Sequence, residues 1–113
     1  MECELVPEFK NYLKDELLGE RQFDYLIGAG HYTPHNGEWL SSFTNLNCKP
    51  HLKSYTEHLC QMMESKIFAF IAHPDIFGCT NLEWNADLIE CSREILVTAE
   101  ETQTPLEING NGL

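Results

Sequence analysis

Apolar positions along this chain fall into two patterns that take turns. Phe9, Tyr12, Leu13 and Leu17 recur at the three-and-four spacing of one helix face, and Pro7 stands where a first helical turn tolerates proline. Leu52, Tyr55, Leu59, Met62 and Met63 form a second stripe of this kind, and Leu88, Ile89, Ile95, Leu96 and Ala99 mark a third. Between the stripes lie short apolar runs with no helical period: Phe23 to Ile27, ended by Gly28 and Gly30, and Ile67 to Ala72. Runs of this length bounded by turn residues predict buried strands. Glu2 to Val6 reads as the end of a first strand, and Pro105 to Asn109 as a last one before Gly110 and Gly112. Residues 32 to 50 are rich in Pro, Asn, Gly and Ser, show no steady period, and predict a long loop of the kind that often carries function.

The predicted order is strand, helix, strand, helix, strand, helix, strand, within a single domain over residues 1–113. Such alternation implies an α/β fold with a parallel sheet and right-handed crossovers. Strands of parallel sheets are buried on both faces, which explains why Ile67 to Ala72 is nearly all apolar. Parallel sheets place their chemistry at the C-terminal ends of the strands. Glu2, His31, His73 and Asn109 all fall at or near such ends.

Imidazoles and carboxylates on adjacent strand ends suit zinc, manganese or iron, and a carboxylate can bridge two such ions. A metal pair can clamp a phosphoryl group and generate hydroxide near neutral pH. No two of these residues lie in a tight HxH or HExxH motif, so a histidine hydrogen-bonded in a loop is the competing reading of both His31 and His73. Glu4 is the alternative to Glu2, because period-two alternation puts both on one face. His35, in the long loop with Asn36 and Glu38, is a candidate to line the site. His51 and His58 read as surface or helix-face residues, and Trp39 and Trp84 as packing. Asp75 after Pro74 reads as the cap of a turn. Glu107, inside an apolar strand, requires either a cation beside it or an exposed edge.

Charge narrows the partners. Eighteen acidic against seven basic side chains give a net charge of −11, which repels a nucleic-acid backbone and leaves no basic patch to track one. An anionic substrate needs bound cations to reverse that local field. The longest apolar runs are far shorter than the roughly 20 residues of a membrane helix, and residues 1–10 lack a charged leader followed by an apolar stretch. These features predict a cytoplasmic protein with neither nucleic acid nor membrane as partner. Five cysteines are an odd count with no CxxC pair, which predicts buried, inert thiols in a reducing compartment rather than a disulfide framework.

Four strings in order carry a family resemblance: Glu2-Cys3-Glu4-Leu5-Val6-Pro7; Phe23-Asp24-Tyr25-Leu26-Ile27-Gly28 with His31-Tyr32; Ala72-His73-Pro74-Asp75-Ile76-Phe77; and Pro105-Leu106-Glu107-Ile108-Asn109 with Gly112-Leu113. Together they resemble the PHP-type histidinol phosphatases over nearly the whole chain. The resemblance implies a distorted (β/α)7, TIM-like barrel of which this chain holds about half. It also implies hydrolysis of a small phosphate monoester such as histidinol phosphate by two or three divalent metal ions (Zn, Mn or Fe). Carried over residue by residue, Glu2 bridges metals and His31 and His73 bind metal; outside that carry-over, His35 in the long loop and Asn109 at the last strand's end are candidate substrate contacts. The family's HxH and DxH pairs do not occur in this chain, and its arginine after the Gly-Leu pair has no counterpart after Leu113. The resemblance therefore implies an internal segment of a longer protein, in which Met1 need not be a natural start, with little or no phosphatase activity in the segment alone. Unpaired barrel edges would favour homo-oligomers. Three other readings stay open: a catalytically silent remnant that folds with a partner, a flavodoxin-like open sheet, and a J-domain, whose signature His73-Pro74-Asp75 also matches.

Overall fold

The computed structural model describes residues 2–6, 10, 14–15, 25–81 and 83–108. The expected first helix, Phe23 and everything from Asn109 onward lie outside the described residues. Three parallel strands form the sheet in the order β1 (Glu2–Cys3), β2 (Leu26–Ala29), β5 (Phe68–Ala72). Glu2 pairs with Ile27 and Gly28 with Ile71, so each strand lies beside the parallel strand preceding it in the chain. The strand expected at Pro105 to Asn109 is reduced to one parallel bridge between Ile71 and Leu106. Two backbone hydrogen bonds hold it, Ile71 N–H to Pro105 O at 3.0 Å and Glu107 N–H to Ile71 O at 2.9 Å. The α/β class with a parallel sheet is thus as expected.

Residues 32 to 41 depart from expectation. They form a β-hairpin, β3 (Tyr32–His35) paired antiparallel with β4 (Glu38–Ser41). Asn36 and Gly37 turn it with φ of 50° and 80°. An Asn-Gly pair matches the left-handed geometry of a two-residue hairpin turn, and there the absence of a Cβ on Gly37 matters. Thr33 and Ser42, both buried, share a hydroxyl hydrogen bond of 2.8 Å beneath the hairpin.

Helix α1 (Lys49–Glu64) carries Pro50 in its first turn, where the missing N–H breaks no helical bond. Its buried stripe is Leu52, Tyr55, Thr56, His58, Leu59, Met62 and Met63. His58 is therefore a core residue, not a surface one, because positions 55, 58, 59 and 62 share one helical face. The helix ends at Ser65, and Lys66 takes a left-handed φ of 61°. A 3-10 turn (Ile76–Cys79) follows β5. Helix α2 (Ala86–Thr102) starts at Asn85, whose side-chain oxygen accepts the Leu88 N–H at 3.0 Å, and ends at a left-handed Gln103. Leu88, Cys91, Ile95 and Ala99 bury the face that packs on α1, whereas Ile89 and Leu96 of the expected stripe are exposed. Trp84 and Trp39 are also largely exposed, each touching one ring edge-on, Phe77 and His58 respectively.

None of the five cysteines is in a disulfide, and the uniform burial expected of them is not found: Cys48 and Cys79 are exposed. Cys91 is buried, and burial pushes its thiol up to about 11 although the Thr56 hydroxyl, 2.8 Å away, pulls the other way. A thiol raised in the folded state stabilises the fold below its unfolded value near 9.0 and loses that contribution as pH rises through about 11. We expect iodoacetamide at pH 8 to modify Cys48 and Cys79 but not Cys91. We also expect urea midpoints to fall between pH 9 and 11 less steeply in Cys91→Ala than in the parent. Early modification of Cys91, or equal slopes, would contradict its burial against Thr56.

Candidate metal centre

Two strand ends and one strand start build the site. Glu2 sits in β1, His31 follows β2 after Gly30, and His73 is the residue immediately beyond β5. Gly30 allows the chain to pass close to α1, since a Cβ there would stand 3.1 Å from the Tyr55 ring. Tyr55 in turn donates its phenol proton to the Pro74 carbonyl at 2.7 Å, tying α1 to the segment that carries His73. Burial raises the Tyr55 phenol well above its usual range, so it remains a donor.

The side chains converge. His31 Nε2 lies 2.7 Å from Glu2 Oε1, and His73 Nε2 lies 3.4 Å from the same oxygen. The two imidazole centroids are 4.9 Å apart. One ligand atom from each of Glu2, His31 and His73 falls within a 4.8 Å span, close enough for a single cation to touch all three. Glu2 is open to solvent, His31 half-buried and His73 buried. Phe43, just after the hairpin, stacks on His31 at 6.0 Å and approaches His73 at 6.3 Å, forming an apolar wall.

His73 is held under constraint. Its φ of 31° is rare for a residue with a Cβ. Its N–H donates to Glu107 Oε1 at 3.3 Å, so Glu107, expected to face either a cation or solvent, holds a backbone turn at the half-buried sheet edge. His73 Nδ1 is buried without a hydrogen-bond partner. A buried polar atom in that state is costly, and strained backbone of this kind gathers at functional sites. Asp75 does not cap the following turn by its side chain as expected; its carboxylate oxygen Oδ1 is buried and unbonded.

Glu4 shares the face of Glu2 but meets different groups. Its Oε1 accepts the Tyr32 N–H at 3.0 Å and faces His31 Nδ1 at 3.3 Å, and its Oε2 faces His58 Nε2 at 3.4 Å. His35 is engaged elsewhere: Nδ1 with Ser54 Oγ at 2.8 Å, Nε2 with Asn36, and its ring edge-on to His51. Of the sequence candidates, Glu2, His31 and His73 are thus brought together, His35 is turned to other partners, and Asn109 lies outside the described residues. Sequence reasoning missed Phe43 and the role of His58. The second was legible from the helical spacing of His58 to Tyr55 and Met62, while nothing in the irregular run around Phe43 signals its position. No protein-family model matches the chain, and no curated protein matches its sequence.

Proposed function

We propose that this chain carries part of the divalent-metal site of a PHP-type phosphoesterase, acting on a small phosphate monoester such as histidinol phosphate. The observation that carries the proposal is the convergence of Glu2, His31 and His73 on one spot, from the start of β1 and from just beyond the ends of β2 and β5. In this reading the sheet, with each strand beside its predecessor, is about half of a distorted (β/α)7 barrel wall.

The donor set, two imidazoles and one carboxylate, fits a zinc-, manganese- or iron-class ion. A divalent cation bound there supplies Lewis acidity toward a phosphoryl oxygen and acidifies water near neutral pH. The protein's own contributions are distinct. Glu2, the most open of the three, faces the side from which a phosphate ester can approach. Phe43 stacks on His31 and limits the ring's rotation. Glu107 and the Tyr55–Pro74 contact fix the strained backbone that aims His73. With a net charge of −11, the chain without cations repels its own substrate, so phosphate binding depends on metal. A reducing, cytoplasmic setting belongs to the same proposal and draws on five cysteines free of disulfides. Among the described residues no helix is long and apolar enough to cross a membrane.

The test is metal content by mass spectrometry after incubation with Zn²⁺ or Mn²⁺ and desalting, with p-nitrophenyl phosphate hydrolysis measured in parallel. We expect about one ion per chain, bound by the three ligands and lost in the His31→Ala, His73→Ala double variant. Turnover is expected to be weak, because three residues supply only part of the ligand set that the resemblance implies. No bound metal, or a double variant that matches the parent, would remove the proposal. A second reading, a catalytically silent piece that self-associates, draws on the exposed Trp84, Ile89, Leu96 and Val97 beside and along α2; a dimer mass by light scattering without metal binding would favour it.

A further inference from the structure

Glu4 and His58 take no part in the metal cluster, yet they form the most enclosed polar contact near it. This inference rests on the reading of Glu2, His31 and His73 as cation ligands. We infer that Glu4 is a positioning residue of the centre: its carboxylate, anchored by buried His58, holds the His31 ring by Nδ1 and so presents Nε2 to the cation.

The argument runs through hydrogen-bond inventory. An ionised carboxylate only accepts, so each nitrogen facing Glu4 does so as a donor. Glu4 Oε1 takes the Tyr32 backbone N–H at 3.0 Å and meets His31 Nδ1 at 3.3 Å. By the same rule Glu2 Oε1, 2.7 Å from Nε2, accepts a hydrogen bond from that nitrogen in the metal-free ring; a cation seated between Glu2 and Nε2 replaces that proton, so in the loaded site the ring proton belongs on Nδ1 and the lone pair on Nε2. That is the nitrogen 2.7 Å from Glu2 Oε1, on the side where His73 Nε2 also points. A metal-binding histidine held at its other nitrogen by a carboxylate has both its tautomer and its ring angle set.

His58 supplies the anchor. Its ring is 2% exposed in the buried face of α1, and its Nε2 faces Glu4 Oε2 at 3.4 Å. Trp39 of the hairpin sits edge-on to it at 5.7 Å. The same geometry explains why Glu4 is not itself a ligand. Its Oε1 meets the Tyr32 N–H and the far nitrogen of His31 and its Oε2 meets His58, whereas one Glu2 oxygen faces Nε2 of both His31 and His73.

Zn²⁺ titration calorimetry on the parent chain, Glu4→Gln, Glu4→Ala and His58→Gln, combined with two-bond ¹H–¹⁵N spectra of the histidine rings, tests the assignment. Circular dichroism confirms folding, and Glu4→Gln, which keeps the size of the side chain, covers the case in which Glu4→Ala fails to fold. We expect Glu4→Gln to keep the stoichiometry and lose about ten- to a hundred-fold in affinity, the usual effect of an outer partner of a metal ligand. His58→Gln, which retains an N–H donor, should lose less. In the Zn²⁺-loaded parent the His31 ring should show a proton on Nδ1 and metal on Nε2. Unchanged affinity in Glu4→Gln beside a zinc-binding parent overturns this inference alone. Loss of stoichiometry in Glu4→Gln makes Glu4 a ligand and overturns it too, as does metal on His31 Nδ1. A parent chain that binds no Zn²⁺ removes the metal centre itself, and the inference with it.

Discussion

Tyr55→Ala is expected to lower the free energy of unfolding by about 3 to 5 kcal/mol, the range for truncating a buried aromatic ring. Tyr55 is fully buried on α1, lies against Gly30 where a Cβ would already be at 3.1 Å, and meets Phe77 edge-on at 6.2 Å. Removing the ring opens a cavity between helix and sheet and strands the Pro74 carbonyl, which now accepts the phenol proton at 2.7 Å. A domain of this size holds only about 5 to 15 kcal/mol in total, so the loss is a large share of it and should be plain in the unfolding midpoint. Urea denaturation followed by circular dichroism measures it. A loss below about 1 kcal/mol would mean that α1 is not seated on the sheet through this ring. Tyr55→Phe separates packing from tethering: it should cost about 1 kcal/mol and keep the fold, yet weaken metal binding, because Pro74 adjoins His73.

His73→Gly should have its large effect on function and a small one on stability. In the proposed site the imidazole is one of three ligands, and its removal should lower Zn²⁺ affinity more than about a hundred-fold, beyond the usual cost of losing an outer partner. The fold, in contrast, holds His73 at a φ of 31° and buries its Nδ1 without a partner. Glycine adopts that φ without the steric penalty of about 1 to 2 kcal/mol that a Cβ incurs. Against this stands the larger conformational entropy that glycine gives the unfolded chain. The two effects nearly cancel, so the metal-free variant should unfold within about 1 kcal/mol of the parent. Calorimetric affinity and urea midpoints on one preparation decide it. A strongly destabilised variant would show His73 to be a packing residue, and an unchanged affinity would take it out of the ligand set.

Period was legible wherever burial on one face or two faces set it. The run ending at Ala72 is apolar although Ala69 is exposed and Phe70 half-buried, so full burial holds only at its ends, whereas the stripe from Leu52 to Met63 is apolar because one side of α1 is covered. The hairpin was missed for the opposite reason. Its strands carry Pro34, His35, Glu38 and Trp39 and lie half in water, so no apolar alternation marks them. Its one firm local signal, Asn36-Gly37, describes a turn and not what flanks it. The last strand shrank to a bridge at Leu106 because pairing at a sheet edge depends on what lies beyond it, which residues 105 to 109 do not encode.

Sequence by itself determined the alternation of strand and helix, hence the parallel sheet, and marked Glu2, His31 and His73 as residues at or beside strand termini. Those are consequences of short-range rules: periodicity tells which face is buried, and handed crossovers tell how the strands line up. Which of Glu2 and Glu4 stands beside both His31 and His73, the burial of His58, the wall made by Phe43 and the strained turn at His73 held by Glu107 emerge only in three dimensions. Each depends on which groups meet across long stretches of chain. Two glutamates that alternation puts on one face are separated only by the partners that tertiary packing brings to each, two imidazoles for Glu2 and a buried ring with two further N–H groups for Glu4.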